Sequence, residues 1–291
     1  MQWISCFLMG GLGNQLFQIF AVIAYAKRYK CNFVFKYSKE LRTGILRYTF
    51  WDSFLKELLQ YTTYESNNSL IAPYIDNFPR FNECGFHYKP LPYKENVDYL
   101  SLFGYFQSYK YFVDYWDDIK TMIKLQSTQQ TIYNNNKTLL DDKYTISMHF
   151  RLGDYKDKQQ FHPIMKETYY ISALNTIVNK LENSNKNIQV LYFCEQEDIN
   201  TVNLMIQTIQ FAHKKLDFIR VNDELCDWQQ MILMSCCNSN IIANSSFSWW
   251  GAFMNENNEK IVCYPSTWFG KKFGNNSMND LFPPSWQKIN C

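Results

Sequence analysis

The chain has 291 residues, 46% hydrophobic and 19% charged, with Tyr 21, Phe 23, Trp 8 and a formal net charge of +2. That composition excludes a disordered chain, and the length accommodates two domains of roughly 150 residues each. No Lys/Arg block is dense enough to follow a nucleic acid backbone, so DNA and RNA are excluded as partners.

The chain opens as a βαβ unit: a predicted strand Trp3–Met9, the loop Gly10-Gly11-Leu12-Gly13-Asn14-Gln15, an apolar helix reaching about Tyr29, and a strand Cys31–Phe35. The apolar run Leu16–Ala26 is broken by Gln18 and is shorter than the ~20 residues of a membrane span. The first basic residue is Lys27, too late for the charged region of a signal peptide. A dinucleotide fingerprint would need glycine where Leu16 stands. The loop is then either a tight turn without ligand contact, or a glycine-lined backbone at a helix N-terminus facing a sugar or phosphate, with Asn14 as a polar finger. Residues 64–98, carrying Pro73, Pro79, Pro90 and Pro92, read as loops, and 106–124 as a helical stretch. The Asn- and Gln-rich segment 126–137 has few large apolar residues and reads as a linker, giving domains 1–137 and 138–291.

The second half alternates strands and helices, the pattern of a doubly wound parallel sheet. In order come strand 144–150, helix 168–182, strand Ile188–Phe193, helix Ile199–Ala212, strand Leu216–Val221, helix Asp227–Cys236, strand Asn240–Ala243, a short helix from Phe247, and strand Ile261–Tyr264 ending at Pro265. Polar residues fall just past the strands: Arg151 and Asp154, Glu195, Asn222 and Asp223, and Asn244 to Ser248. Strand ends on one sheet edge form the crevice where open α/β sheets bind ligands.

Within that set, Ser147-Met148-His149-Phe150-Arg151-Leu152-Gly153-Asp154 places a guanidinium, a turn glycine and a carboxylate at a strand's carboxyl end. An arginine fork makes paired, charge-assisted hydrogen bonds to phosphate oxygens, so Arg151 is either a phosphate clamp or half of a surface Arg–Asp pair. Asn244-Ser245-Ser246-Phe247-Ser248-Trp249-Trp250 offers three hydroxyls and free N–H groups at a helix start. It is either a phosphate cradle or a serine-capped helix with core tryptophans. Asp227 reads as a helix cap, and Glu195 either accepts from a base or ribose or is simply exposed. Nine cysteines, an odd count with no C-x-x-C pair, read as reduced, mostly buried thiols. There is no Asp-x-Asp pair to bridge a metal to a sugar-nucleotide diphosphate, and no Gly-x-x-x-x-Gly-Lys. His87, His162 and His213 lack ligand-like spacing.

Four stretches together resemble the α-1,2-fucosyltransferase family, glycosyltransferase family 11: Gly10 to Gln18, Gly104-Tyr105-Phe106-Gln107-Ser108 through Phe112, His149-Phe150-Arg151-Leu152-Gly153-Asp154-Tyr155, and Asn244 to Ala252. Pro265 and Trp268-Phe269 fit the pattern near the end. The resemblance implies an α/β fold of GT-B type, two Rossmann-like domains facing a central cleft. The N-terminal domain would serve the acceptor and the C-terminal domain the GDP-sugar. It further implies inverting transfer of fucose from GDP-fucose to the 2-hydroxyl of a galactose-type glycan acceptor, with no metal and no cofactor. By position, Arg151 matches the arginine that holds the diphosphate, with His149 and Asp154 beside it. Asn244, Ser245, Ser246, Phe247 and Ser248 match the phosphate-side loop, and Gly11, Gly13, Asn14 and Gln15 the glycine loop. Arg151 and Asp154 are the catalytic candidates, Asp154 either as base or as the group that orients Arg151. Two departures stand out: Leu152 where the family has a second arginine, and Glu195 in place of a Ser-Asp pair. Rival readings are a fucosyltransferase of another linkage and a non-catalytic nucleotide-sugar or glycan-binding protein on the same scaffold. The expected location is cytoplasmic, without leader or anchor.

Overall fold

The computed structural model describes residues 2–42, 45–181, 187–274 and 277–291. The chain divides into two compact units, Met1–Ser127 with Asn276–Pro283, and Thr128–Asn275 with Pro284–Cys291. Each is an α/β unit on a parallel sheet, the class the sequence predicts.

In the first unit, β1 (Trp3–Cys6) leads into α1 (Leu12–Tyr29) and β2 (Asn32–Phe33). The short strands β3 (Glu40–Leu41) and β4 (Arg47–Tyr48) pair antiparallel. β5 (Arg80–Asn82), β6 (Tyr99–Phe103) and α2 (Trp116–Met122) follow. The main sheet runs β2-β1-β6-β5, with every neighbouring pair parallel. Because β1 connects to β2 on one side while β6 lies on the other, the strand order reverses between β1 and β6. α1 is buried along nearly its whole length, which is why its sequence reads as an unbroken apolar run. β1 and β2 are shorter than predicted, since Phe35 pairs in isolation with Thr62.

The segment expected as a linker contains the division at Ser127/Thr128, but it is helical rather than an extended connection. Residues 126–137 fall in α3 (Leu125–Asn135) and α4 (Lys137–Leu140). Gln129 explains why so polar a segment docks as a helix: its Nε2 donates to Ser235 Oγ and to the Met254 carbonyl, both at 2.9 Å, with Ile132 buried three residues on. A long amide that satisfies its hydrogen bonds packs where an apolar residue was expected.

The second unit carries β7 (Tyr144–His149), α5 (Glu167–Leu181), β8 (Ile188–Phe193), α6 (Ile199–Ala212), β9 (Asp217–Arg220), α7 (Asp227–Ser235), β10 (Ser239–Ile241), α8 (Ser246–Phe253), β11 (Val262–Pro265) and β12 (Gln287–Ile289). Every strand and helix predicted here is present, although residue 182 of the first helix lies outside the described residues. β12 was not foreseen. Cys226, one residue earlier than expected, takes the cap position of α7 in place of Asp227. The sheet is parallel throughout, in the order β12-β11-β10-β7-β8-β9, the doubly wound order of a nucleotide-binding fold. Its core holds Ile146, Met148, Phe150, Tyr169, Leu174, Val190 and Ile206, all buried. α8 rests against α7 through Gly251, where a Cβ would stand 2.8 Å from Met234 Cβ. All nine cysteines are free: Cys6, Cys194, Cys237 and Cys263 buried, Cys31 and Cys236 half-buried, Cys84, Cys226 and Cys291 exposed. No helix of the described residues is long and apolar enough to cross a membrane.

Candidate active site

In the second unit the strand order reverses between β7 and β10, because β8 and β9 extend one side of β7 while β10 to β12 extend the other. Ligands of such sheets bind at the carboxyl ends of the strands flanking this point. The loop after β7 holds Arg151; the loop after β10 and the first turn of α8 hold Asn244 to Ser248. The two segments singled out in the sequence therefore share one place in the fold.

Arg151 is the centre of a compact network. Its Nη1 donates to Glu195 Oε1 and its Nη2 to Asp154 Oδ1, so each arm of the fork faces a carboxylate. Its guanidinium carbon lies 5.1 Å from the centre of the Tyr155 ring. Glu195 thus pairs with Arg151 through Oε1, and it is the more exposed of the two carboxylates, at 44% against 32%. An anion arriving at the fork competes first with Glu195. Leu152 is buried at 3% exposure and belongs to the hydrophobic core, so a second guanidinium there would be driven into apolar packing.

His149, the last residue of β7, is 8% exposed and its ring lies 5.5 Å from that of Phe247 in the first turn of α8. Burial, then the Arg151 charge, pulls its pKa down to about 3, so the imidazole is neutral at physiological pH. Its Nδ1 is buried without a hydrogen-bond partner. Ser245 caps α8, its Oγ accepting from Phe247 N at 3.3 Å, while buried Ser248 donates to the Ser245 carbonyl at 3.4 Å. Trp249 and Trp250, both fully buried, anchor the helix. Asn244 donates to the Pro163 and Trp268 carbonyls at 2.9 and 3.2 Å, and its Oδ1 is buried and unpartnered. Ser246 and Phe247 are half-buried on the same turn.

Two contributors, Tyr155 and Asp198, were not foreseen, and the turn glycine Gly153 gains a reason. Tyr155 lies against Arg151, stacks on His162 at 4.6 Å, and donates to the Asn244 carbonyl at 3.1 Å, tying the two loops together. Asp198, fully buried, accepts from Gly153 N at 2.7 Å and Lys156 Nζ at 2.5 Å, holding the arginine loop from the far side. Gly153 has φ +37° and a Cβ there would lie 2.5 Å from Glu195 Oε2, so only glycine fits. The sole sequence signal for Tyr155 was its place in the motif; Asp198 had none. Glu195, Glu197 and Asp198 lie close enough to share a cation, but Asp198 is already held by Lys156 and Glu195 by Arg151.

The glycine loop lies in the first unit at its own reversal point, between β1 and β6. Gly10, at φ +76°, is the position that demands glycine: a Cβ there would meet Asn14 Nδ2 at 2.4 Å. Gly11 caps α1 and a Cβ on it would touch nothing within 4 Å; Gly13 is buried in the helix. Asn14 Oδ1 accepts from Gln107 Nε2 at 2.8 Å, joining the loops after β1 and β6. Gln15 is fully buried and donates to the carbonyls of Gly10 and Tyr48, so it shapes the loop from inside. Gln18, also buried, exchanges two 2.9 Å hydrogen bonds with the Met9 backbone, which accounts for the polar break in the apolar run.

The chain is similar to several known proteins. An Escherichia coli protein described as alpha-1,2-colitosyltransferase is 27% identical over 302 residues, 97% of each chain. The Escherichia coli O-antigen biosynthesis glycosyltransferase WbnK is 30% identical over 194 residues, covering 64% of this chain and 59% of its own. A crystal structure of POFUT1 in complex with GDP overlays 90% of this chain and 98% of that one, at a TM-score of 0.46 and 11% identity. The model of glycosyl transferase family 11 matches residues 7–290, taking in the glycine loop, the arginine loop and the serine-capped helix alike, and the chain belongs to that family of glycosyltransferases.

Proposed function

We propose that this protein is an inverting, metal-independent fucosyltransferase that moves fucose from GDP-fucose to the 2-hydroxyl of a galactose-type glycan acceptor. The observation that carries this reading is the position of Arg151 and the Ser245-capped helix on either side of the reversal point of a doubly wound sheet. In this reading the second unit takes the GDP-sugar and the first the acceptor. As the sugar–phosphate bond breaks, charge builds on the diphosphate. Arg151, the hydroxyl of Ser245 and the N–H groups at the start of α8 meet that charge without a metal ion. Asp154 orients the arginine fork. The unpartnered polar atoms of His149 and Asn244 support a polar ligand at this edge.

The linkage in the colitosyltransferase's name supports α-1,2 transfer, and that relative also names a second donor sugar. The test incubates purified protein with GDP-fucose or nucleotide-activated colitose and a panel of β-galactosides in EDTA, beside Arg151→Ala. Product mass and linkage analysis should show a metal-independent α-1,2-fucoside, and the variant should lose about 10²–10³ in rate. Transfer of colitose alone would replace the donor assignment; binding of GDP without transfer to any acceptor would favour a non-catalytic binding protein.

A further inference from the structure

The first unit carries a carboxylate that nothing above uses. Glu83 directly follows β5, beside β6, at the carboxyl edge of the sheet. Its Oε2 accepts from two consecutive backbone groups, Tyr105 N at 2.7 Å and Phe106 N at 2.9 Å. Both belong to the loop after β6, where Gly104 has φ +157° and fully buried Phe106 has φ +51°. A Cβ on Gly104 would fall 2.3 Å from Glu83 Cβ, so glycine permits the approach. Backbone strain of this kind in a non-glycine residue is concentrated at functional sites. The next residue, Gln107, is the one that bonds Asn14 across the β1/β6 reversal point. A strained, carboxylate-clamped loop thus ends where an open sheet binds its ligand.

Glu83 is also uncommitted where it matters. Its hydrogen bonds all use Oε2, leaving Oε1 available, and it forms no ion pair with any described residue. Burial raises its carboxyl above the usual range, against the pull of the two N–H groups, which favours a carboxylate that takes up a proton. Asp154, the base candidate from the sequence, is bound instead to the Arg151 guanidinium. Several other carboxylates of the first unit serve lysines and arginines, among them Asp76 with Lys36, Asp114 with Arg28 and Asp280 with Lys110.

We propose that Glu83 is the general base of the transfer, accepting the acceptor hydroxyl proton on Oε1 while Oε2 stays fixed to the backbone of residues 105 and 106. This rests on the reading of the first unit as the acceptor side. In the step, the acceptor O–H bond breaks and its proton passes to Glu83. The freed oxygen pair bonds to C1 of the sugar, and the bond from C1 to the phosphate oxygen breaks, its electron pair leaving on GDP. The proton then passes from Glu83 to solvent.

The test compares wild type, Glu83→Gln and Glu83→Ala on a panel of activated sugars and galactosides. The amide of Glu83→Gln can still accept from the two N–H groups but cannot take a proton. Its kcat should fall about 10²–10⁴-fold with donor and acceptor KM little changed and Tm unaltered. Glu83→Ala should regain turnover when azide or formate supplies an external base. Wild-type kcat in Glu83→Gln overturns the proposal, as does a loss that tracks a fall in Tm and shows no rescue in Glu83→Ala. A wild type that uses another donor overturns the donor assignment alone, since the Glu83 comparison is read with that donor; a wild type that transfers nothing overturns both.

Discussion

His149 ends β7 as a neutral imidazole because its surroundings cannot solvate a charge. That has a thermodynamic consequence with a definite sign. An unfolded histidine takes up a proton near pH 6.5, whereas the folded one resists down to about 3. As pH falls through this window the unfolded state gains protons the native state refuses, and stability drops by up to about 1.4 kcal/mol per pH unit. Urea unfolding at pH 7 and pH 5 should show the wild type losing about 2 kcal/mol more than His149→Gln over that interval. Equal losses would mean that His149 ionises freely in the native protein. At this scale the sequence was informative about charge and silent about depth. The places of Arg151 after a strand and Ser245 at a helix cap were legible because they need little context beyond a strand end and a helix start. Glu195, read either as an acceptor for a base or ribose or as an exposed side chain, also pairs with Arg151, a partner 44 positions away that the sequence did not suggest. Gln15 was read as a substrate contact and is fully buried. Tyr155 and Asp198 act through contacts to residues 89 and 45 positions away, which no local pattern encodes.

Among elements, the close pair α7 and α8 sets the height at which the serine-capped turn is presented. Gly251 lets the helices touch, with Met234 Cβ and the Met231 carbonyl directly over it. Gly251→Val should therefore cost about 1–3 kcal/mol by overpacking, read as a lowered Tm. An unchanged Tm would show that the helices can separate freely. Elements proved legible wherever burial was apolar. β8 and β11 read as near-continuous hydrophobic runs, β7 alternates apolar Tyr144, Ile146 and Met148 with polar residues, and α5 and α6 read as 3.6-residue stripes. Elements failed where burial was polar or short. β12 is Gln-Lys-Ile, too brief to stand out, and β5 is Arg-Phe-Asn directly after Pro79. α3 is held by glutamine hydrogen bonds, which a hydrophobic pattern cannot register.

For the whole molecule, the decisive quantity is how ligand binding feeds into stability. A nucleotide that binds only the native state at 100 times its Kd adds about 2.7 kcal/mol to unfolding, whichever unit holds it. GDP should accordingly raise the Tm of the wild type in EDTA, and the same GDP concentration should raise that of Arg151→Ala far less. An identical shift in both would remove Arg151 from the diphosphate site without touching the fold assignment. The class of the fold was legible from the alternation of strands and helices, and the family from four stretches. The strand orders that place those stretches at reversal points were not, because order in a sheet depends on long-range pairing.

One strand of the second unit has implications for how the protein is made. β12 pairs with β11, yet the chain first contributes residues 276–283 to the other unit before returning to supply Gln287–Ile289. During synthesis the sheet must wait, with β11 as its outermost strand and its unpaired N–H and C=O groups open to other nascent chains. Folding of this unit therefore cannot finish on the ribosome until residue 289 has emerged, and a polypeptide stalled after β11 would be a strong substrate for chaperones that recognise bare sheet edges.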